Sequence, residues 1–472
     1  MRALYEIAMD LEGKSAVVVG LARSGIAAAR FLAGRGARVL ATDRKPAREL
    51  SEEAVSLARQ GVLLEMGSHP AAAFTGASLV VVSPGVPWDM PELEAARRAG
   101  VEVMAELELA YRNIAGTVAA VTGTKGKSTT TAALGAMLRA AGKDVRVGGN
   151  IGEPLIGLVE DATAETVFAV EASSFQLEGI DTFCPRVAVF LNLSVDHLDR
   201  HASFDDYAHA KGRIFENQTA DDWAVVNADD PGVLSLARGS RARLVRFSAT
   251  DRPHPHPLPQ RERGRVAYFE NGLAQLRLEG GTETLFNRAT VTLPGPHLAG
   301  DLLAAAVAAR LLGAPATAIA RAVAAFSGIE HVLERVGEVD GVRFFNDSKA
   351  TNVDAARKSL EAFDGPLIVI MGGRYKGGDF ADLRDAATGR CKTILAIGEA
   401  RDLLATGLSP VVPVVACDTL AEAVERAQAA AAPGDTVLLA PACSSFDMFE
   451  DYADRGRAFK AEVQRLAARK RV

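Results

Sequence analysis

A chain of 472 residues exceeds what one hydrophobic core ordinarily organises, and the usual domain size predicts about two to four domains. With 48% hydrophobic and 24% charged residues, the composition is that of a globular protein and excludes a fibre or a disordered chain. A formal charge of −6 argues against a partner held by bulk basic charge, so nucleic acid is not expected.

Residues 15–43 read as strand, glycine turn, helix and second strand, the βαβ unit of a Rossmann-like α/β domain. The turn is Gly20-Leu21-Ala22-Arg23-Ser24-Gly25, whose middle position lacks the glycine of dinucleotide binding. Asp43, ending the second strand, either holds a ribose or base or is a solvated strand end. A further strand over 78–83 runs into Ser83-Pro84-Gly85, a turn at the carboxyl edge where ligands of open sheets lie. Residues 102–111 read as helical, and a first boundary is placed there.

Val118 to Gly142 then reads as strand, glycine loop and helix, the local pattern of a P-loop ATPase-like domain. The full phosphate-loop pattern wants glycine five residues before Gly126-Lys127, where Val121 stands; Gly123 takes the role in a shortened loop. Lys127 would reach the outer phosphates and Ser128 would offer its hydroxyl to magnesium. Strands over 167–170 and 187–191 end in Glu171-Ala172-Ser173-Ser174-Phe175-Gln176 and in Asn192 to His201. Acids and histidines at such ends sit where a metal and phosphates meet. The helical stretch 207–217 carries Lys211 on the face of Tyr207 and Phe215. Residues 252–263, RPHPHPLPQRER, read as a surface insertion, and a helix is predicted over 299–312.

The last third repeats the α/β rhythm, with strands predicted at 342–345, 367–371, 393–397 and 436–439. The turns Asn346 to Lys349, Gly372 to Lys376 and Pro441 to Ser445 give it a ligand edge of its own. Three domains are assigned: residues 1–108, 109–328 and 329–472. Four widely spaced cysteines, Cys184, Cys391, Cys417 and Cys443, form no metal motif or disulfide ladder and read as reduced thiols. No apolar run approaches membrane-spanning length and the amino terminus shows no signal pattern, so a cytoplasmic protein is expected; a monomer is expected as well.

Eight motifs in this order resemble the Mur ligases, ATP-dependent amide-forming enzymes of peptidoglycan precursor synthesis, over nearly the whole chain. They are GTKGKSTT (123–130), GGNIG (148–152), EASSFQLE (171–178), NLSVDHLDRH (192–201), AKGRIF with Lys211, NDSKATN (346–352), GGRYKGGDF (372–380) and PACSSFDMFEDYADRG (441–456). NDSKATN and PACSSFDMF resemble the D-glutamate-adding branch.

The resemblance implies UDP-N-acetylmuramoyl-L-alanine and D-glutamate as substrates. Gly20, Ala22, Arg23, Ser24, Asp43, Ser83, Gly85, Asn150, Ser173 and Gln176 would hold the UDP substrate. Gly123, Thr124, Lys125, Gly126, Lys127, Ser128, Thr129 and Asp347 would hold ATP. Two magnesium ions would fall to Ser128, Glu171, His197 and a carbamylated Lys211, and Lys127, His197 and Lys211 would be catalytic. Lys349, Thr351, Lys376, Ser445 and Phe446 would hold D-glutamate. Closure of the domains would assemble the site. This chain departs from the family pattern at Leu298 and Asp301, where asparagines are usual, at Val332, where an arginine is usual and Arg335 lies close by, and at Tyr375 in place of an acid. The rival readings are a folylpolyglutamate-type or other Mur-type ligase, a dehydrogenase built on the first domain, and a non-catalytic paralogue.

Overall fold

The computed structural model describes residues 9–197, 200–250, 264–291 and 298–469, so the Pro-His stretch 252–263 and His297 lie outside the described residues. The chain folds as α/β structure on three sheets. Strands β1 (Ser15–Val19), β2 (Arg38–Asp43), β3 (Leu63–Met66), β4 (Leu79–Val82) and β5 (Glu102–Ala105) form a parallel sheet in the order β3-β2-β1-β4-β5. Ala16 to Val19 and all of β4 are buried, as expected of the unbroken apolar runs of a sheet covered on both faces.

The second sheet comprises β6 (Thr117–Thr122), β7 (Val145–Gly149), β8 (Val167–Glu171), β9 (Val187–Phe190), β10 (Trp223–Asn227), β11 (Arg243–Phe247), β12 (Val266–Glu270), β13 (Leu273–Leu278) and β14 (Gly281–Asn287). Its order is β14-β13-β12-β11-β10-β9-β6-β8-β7, parallel from β7 to β12 and antiparallel through β13 and β14. The third sheet comprises β15 (Glu334–Val339), β16 (Val342–Asn346), β17 (Leu367–Gly372), β18 (Cys391–Ile397), β19 (Val414–Ala416) and β20 (Thr436–Leu439). Its order is β15-β16-β20-β17-β18-β19, with β15 alone antiparallel.

Residues 102–111, read as one helix, divide: β5 pairs with β4, and the helix is only Glu106–Tyr111. Glu, Met and Ala favour helix in isolation, but pairing against a buried strand overrides that preference.

The chain divides into two compact units. One takes in the first two sheets and Gly300–Val323, and the other runs from Ala324 with the third sheet. Within the first unit a single buried apolar cluster runs from Leu11 through Leu107 and Leu109 to Leu155, Ile156 and Phe183, so its two sheets share a core. Gly179 lets them approach, since a Cβ there would lie 2.8 Å from Ala105 and collide with the Trp88 ring. The Ala105 amide donates to the Gly179 carbonyl at 2.9 Å, and the Arg97 guanidinium lies 4.9 Å from the Trp88 ring centre.

Candidate active site

The loop leaving β6 is shaped by glycines used where other residues would not fit. Gly123 has φ +150 and packs against Leu191 and Asn192, while Gly126, at φ +81, ends the loop and starts the helix Lys127–Ala140. Asn192, in the turn after the adjacent β9, accepts the Lys125 amide at 2.8 Å and donates back to the Lys125 carbonyl at 3.0 Å. Thr124 is buried and its hydroxyl meets that of Tyr207 at 3.0 Å. The loop is therefore held from outside, and its helix start faces the carboxyl edge of the sheet, a geometry suited to anions. Thr129 follows Ser128 in the first turn of that helix.

Five predicted side chains converge here. Lys127 Nζ donates to the Thr124 carbonyl at 2.9 Å, and Lys211 Nζ donates to the Gly123 carbonyl at 2.8 Å from beneath the loop. The Ser128 hydroxyl donates to Glu171 Oε2 at 2.6 Å, and Asn150 Nδ2 donates to Glu171 Oε1 at 2.8 Å, so both carboxylate oxygens are oriented. Lys211 is 2% exposed, with its ammonium 4.8 Å from the Tyr207 ring centre. Burial, and then the charge of Lys127, push the Lys211 ammonium down to about 7, while Asp196 and Glu171 hold it up. Burial lowers Lys127 as well.

The expected metal set is only partly assembled. Ser128 and Glu171 present a hard-oxygen pair that fits magnesium, which takes one or two protein oxygens along with phosphates and water. His197, at φ +53, lies 3.8 Å from Asp196 and edge-on to Phe175. Among the described residues no three His, Cys, Asp or Glu side chains converge to hold a metal. His201, which closes the strand-end cluster read from the sequence but carries no assigned role there, is buried: it meets Ser174 Oγ at 3.0 Å and stacks on Phe175.

Asp301 has a place no motif foretold. It stands in the first turn of the helix Leu298–Leu311, and a Cβ on Gly126 would run into both of its carboxylate oxygens. Burial pushes its carboxyl up to about 7.

At the first sheet, Gly20 and Gly25 bring the turn and helix start against Ser83, whose hydroxyl donates to the Gly20 carbonyl at 2.7 Å. A Cβ on Gly25 would run into that same carbonyl. Asp43 accepts the Leu21 amide at 2.7 Å and the Lys45 amide at 2.9 Å, so it shapes the turn in addition to facing solvent. Ala22 caps the helix Arg23–Gly34 without a side-chain bond and is exposed with Arg23; Ser24 is half-buried and Gly85 exposed. Ser173 and Gln176 cap one another around the short helix Ser174–Leu177, and the buried Gln176 Nε2 has no partner.

In the second unit, Asp347 is buried, takes the Ser359 hydroxyl and is pushed by burial up to about 6. His331 (φ +65) meets Asn346 Nδ2 at 2.9 Å, and Arg335 pairs with Glu338 at 3.1 Å. Lys349 is exposed and Thr351 half-buried, Ser445 is buried, and Lys376 Nζ lies 5.8 Å from the ring centre of the exposed Phe446. Tyr375 donates to the Gly378 carbonyl. The buried Arg455 ties the surrounding turns together, bonding Ser348, the Gly372 carbonyl and the Cys443 carbonyl. Burial pushes the Cys443 thiol up to about 12, in keeping with a thiol that is no nucleophile.

Residues 121–309 match the family model of the Mur ligase middle domain, 14–105 that of the Mur ligase MurD-like N-terminal domain, and 333–443 that of the Mur ligase glutamate ligase domain. The chain belongs to the Mur ligase family. Within it, the chain is similar to proteins named UDP-N-acetylmuramoylalanine–D-glutamate ligase. It is 46% identical to that of Acidobacterium capsulatum over 96% of both chains. It is 44% identical to that of Geobacter metallireducens over 98% of this chain and 100% of the relative. The solved UDP-N-acetylmuramate–alanine ligase of Thermotoga maritima shares the fold, with a TM-score of 0.55 at 19% identity over 96% of this chain and 99% of that one.

Proposed function

We propose that the chain joins D-glutamate to UDP-N-acetylmuramoyl-L-alanine with ATP, as an ADP-forming amide ligase of peptidoglycan precursor synthesis. The observation that carries this reading is the convergence of Lys127, Ser128, Glu171 and Lys211 on one glycine loop. A carboxylate is a poor acyl donor. Its oxygen attacks the γ-phosphorus, ADP departs, and the acyl phosphate carries a leaving group; the amine of D-glutamate then attacks the acyl carbon, loses a proton, and inorganic phosphate leaves.

Residues 1–108 hold the UDP part against the Gly20 to Gly25 turn, 109–328 bind ATP, and 329–472 bind the acceptor. Lys127 and the loop amides neutralise and position the phosphates. Ser128 and Glu171 would hold magnesium, which would supply charge compensation for the phosphates. Lys211, with a proton easily lost near neutrality, adds as a free amine to carbon dioxide, releasing a proton and leaving a carbamate, an oxygen ligand in place of a cation. Lys349, Thr351, Lys376 and Ser445 offer the cations and hydroxyls a dicarboxylate needs.

Phosphate release from MgATP and UDP-N-acetylmuramoyl-L-alanine tests the reading. Release is expected with D-glutamate and not with L-glutamate or without amino acid, together with the amide product by mass. Release with another acceptor only would overturn the substrate, and none with any acceptor would overturn the activity.

A further inference from the structure

The turns closing the third sheet carry an ion pair the reaction above does not use. Arg374 forms an isolated antiparallel bridge with Ser444: its amide donates to the Ser444 carbonyl at 2.9 Å, and its carbonyl accepts the Ser444 amide at 3.1 Å and hydroxyl at 3.0 Å. Residues opposite one another in such a bridge share a face. Arg374 is thereby fixed beside the segment Ser444 to Phe446, over which Lys376 also lies. Its guanidinium reaches Glu399 by two long bonds of 3.2 and 3.3 Å, and both side chains are about half exposed. Glu399 is equally fixed: its amide donates to Asp447 Oδ2 at 3.0 Å, and Ala400 donates to the Gly373 carbonyl at 3.0 Å.

An exposed pair of this kind contributes little and exchanges readily, whereas a guanidinium fork takes a carboxylate bidentately. We propose that Arg374 is a specificity-determining residue that takes the side-chain carboxylate of the acceptor amino acid, with Glu399 as the internal stand-in that aims the fork until the acceptor arrives. The inference rests on the acceptor reading above and adds the residue that tells a dicarboxylic acceptor from its amide.

The test measures KM for D-glutamate, and the preference for D-glutamate over D-glutamine, in the full chain. Arg374→Ala is expected to raise KM about tenfold, more than it changes kcat, and to shrink the preference by a similar factor, while KM for MgATP stays put. Arg374→Lys restores part of the loss. Glu399→Gln frees the fork and lowers KM about two- to threefold. An unchanged preference in Arg374→Ala, or a Glu399→Gln variant whose KM rises as that of Arg374→Ala does, would leave the pair a merely structural one and overturn the proposal. Thermal unfolding of each variant checks the fold; should Arg374→Ala not fold, Arg374→Lys and Glu399→Gln decide. A wild-type chain that ignores D-glutamate altogether would instead strike at the functional reading.

Discussion

Lys211 and Asp301 both face the phosphate loop, and both are held away from their ordinary charge. For Lys211, a folded pKa of about 7 against 10.5 means that the free amine grows as pH rises from 6 to 8, and under the proposed reading carbamate formation and activity are expected to rise with it. Lys211→Arg keeps its proton at any such pH, so phosphate release should fall by roughly a hundredfold or more. A carbonyl resonance after incubation with 13C-bicarbonate should mark the wild type alone; an active Lys211→Arg without that resonance would refute the carbamate.

Asp301 works in the opposite sense. Burial holds its carboxyl up to about 7, so it would be largely neutral below that pH and ionised above, where it would repel the phosphates of a nucleotide on the loop. KM for MgATP is expected to rise about three- to tenfold between pH 6 and 8.5, and Asp301→Asn should flatten that rise. The sequence showed Asp301 as a departure from a familiar pattern, but only the packing against Gly126 reveals what the carboxylate faces. Lys127, Ser128, Glu171 and Lys211 were legible because loop, strand end and helix face each leave a short-range mark. The cluster from Asn192 to His201 was visible as well, but the partners of Asn192 and His201 and the bracing of Asp43 depend on contacts between distant segments, which the sequence does not mark.

The short helix Glu106–Tyr111 sets two acids against different fates. Glu108 accepts the amides of Asp181 at 2.9 Å, Thr182 at 2.9 Å and Phe183 at 3.0 Å, and Arg112 at 2.7 Å. These bonds outweigh its burial and hold its carboxyl below the usual range. Glu106 accepts one bond, from the Ile156 amide at 2.8 Å, its other oxygen is buried without a partner, and burial pushes it up to about 7. Its folded pKa exceeds the ordinary 4.5, so its contribution to stability is full below 4.5 and is lost as pH rises through about 7. Glu106→Gln should therefore raise the thermal midpoint relative to wild type at pH 8.5 and not at pH 5. An equal shift at both would show that the carboxyl does not titrate there. The same stretch shows why strands such as β3 and β5 escape sequence reading: each has four residues with mixed polarity, and their identity comes from β2 and β4 beside them. The unbroken buried runs of β1, β4, β17 and β20, with little polarity within them, announced themselves.

At the scale of the molecule, the first two sheets have separate carboxyl edges but one core. Leu107, Leu109, Leu155, Ile156 and Phe183 lie in the same buried cluster, and exposing each would cost about 1.5–3 kcal/mol. That sum is comparable with the whole stability of an ordinary domain, about 5–15 kcal/mol. Residues 1–323 are expected to stay soluble and fold cooperatively when expressed alone, and residues 116–323 to aggregate; a folded, monomeric 116–323 would show that the shared core is dispensable. The approach of the two sheets at Gly179 has an optical consequence. The chain has only two tryptophans, and Trp88 sits five residues beyond Ser83, with a guanidinium near its ring and Gly179 against its edge. Trp223 is far along the chain on β10, beside Arg243. With Trp223 replaced by phenylalanine, the emission of the remaining indole should change if the proposed substrate fills the first sheet's edge, so that its capture could be followed in real time without attaching a dye.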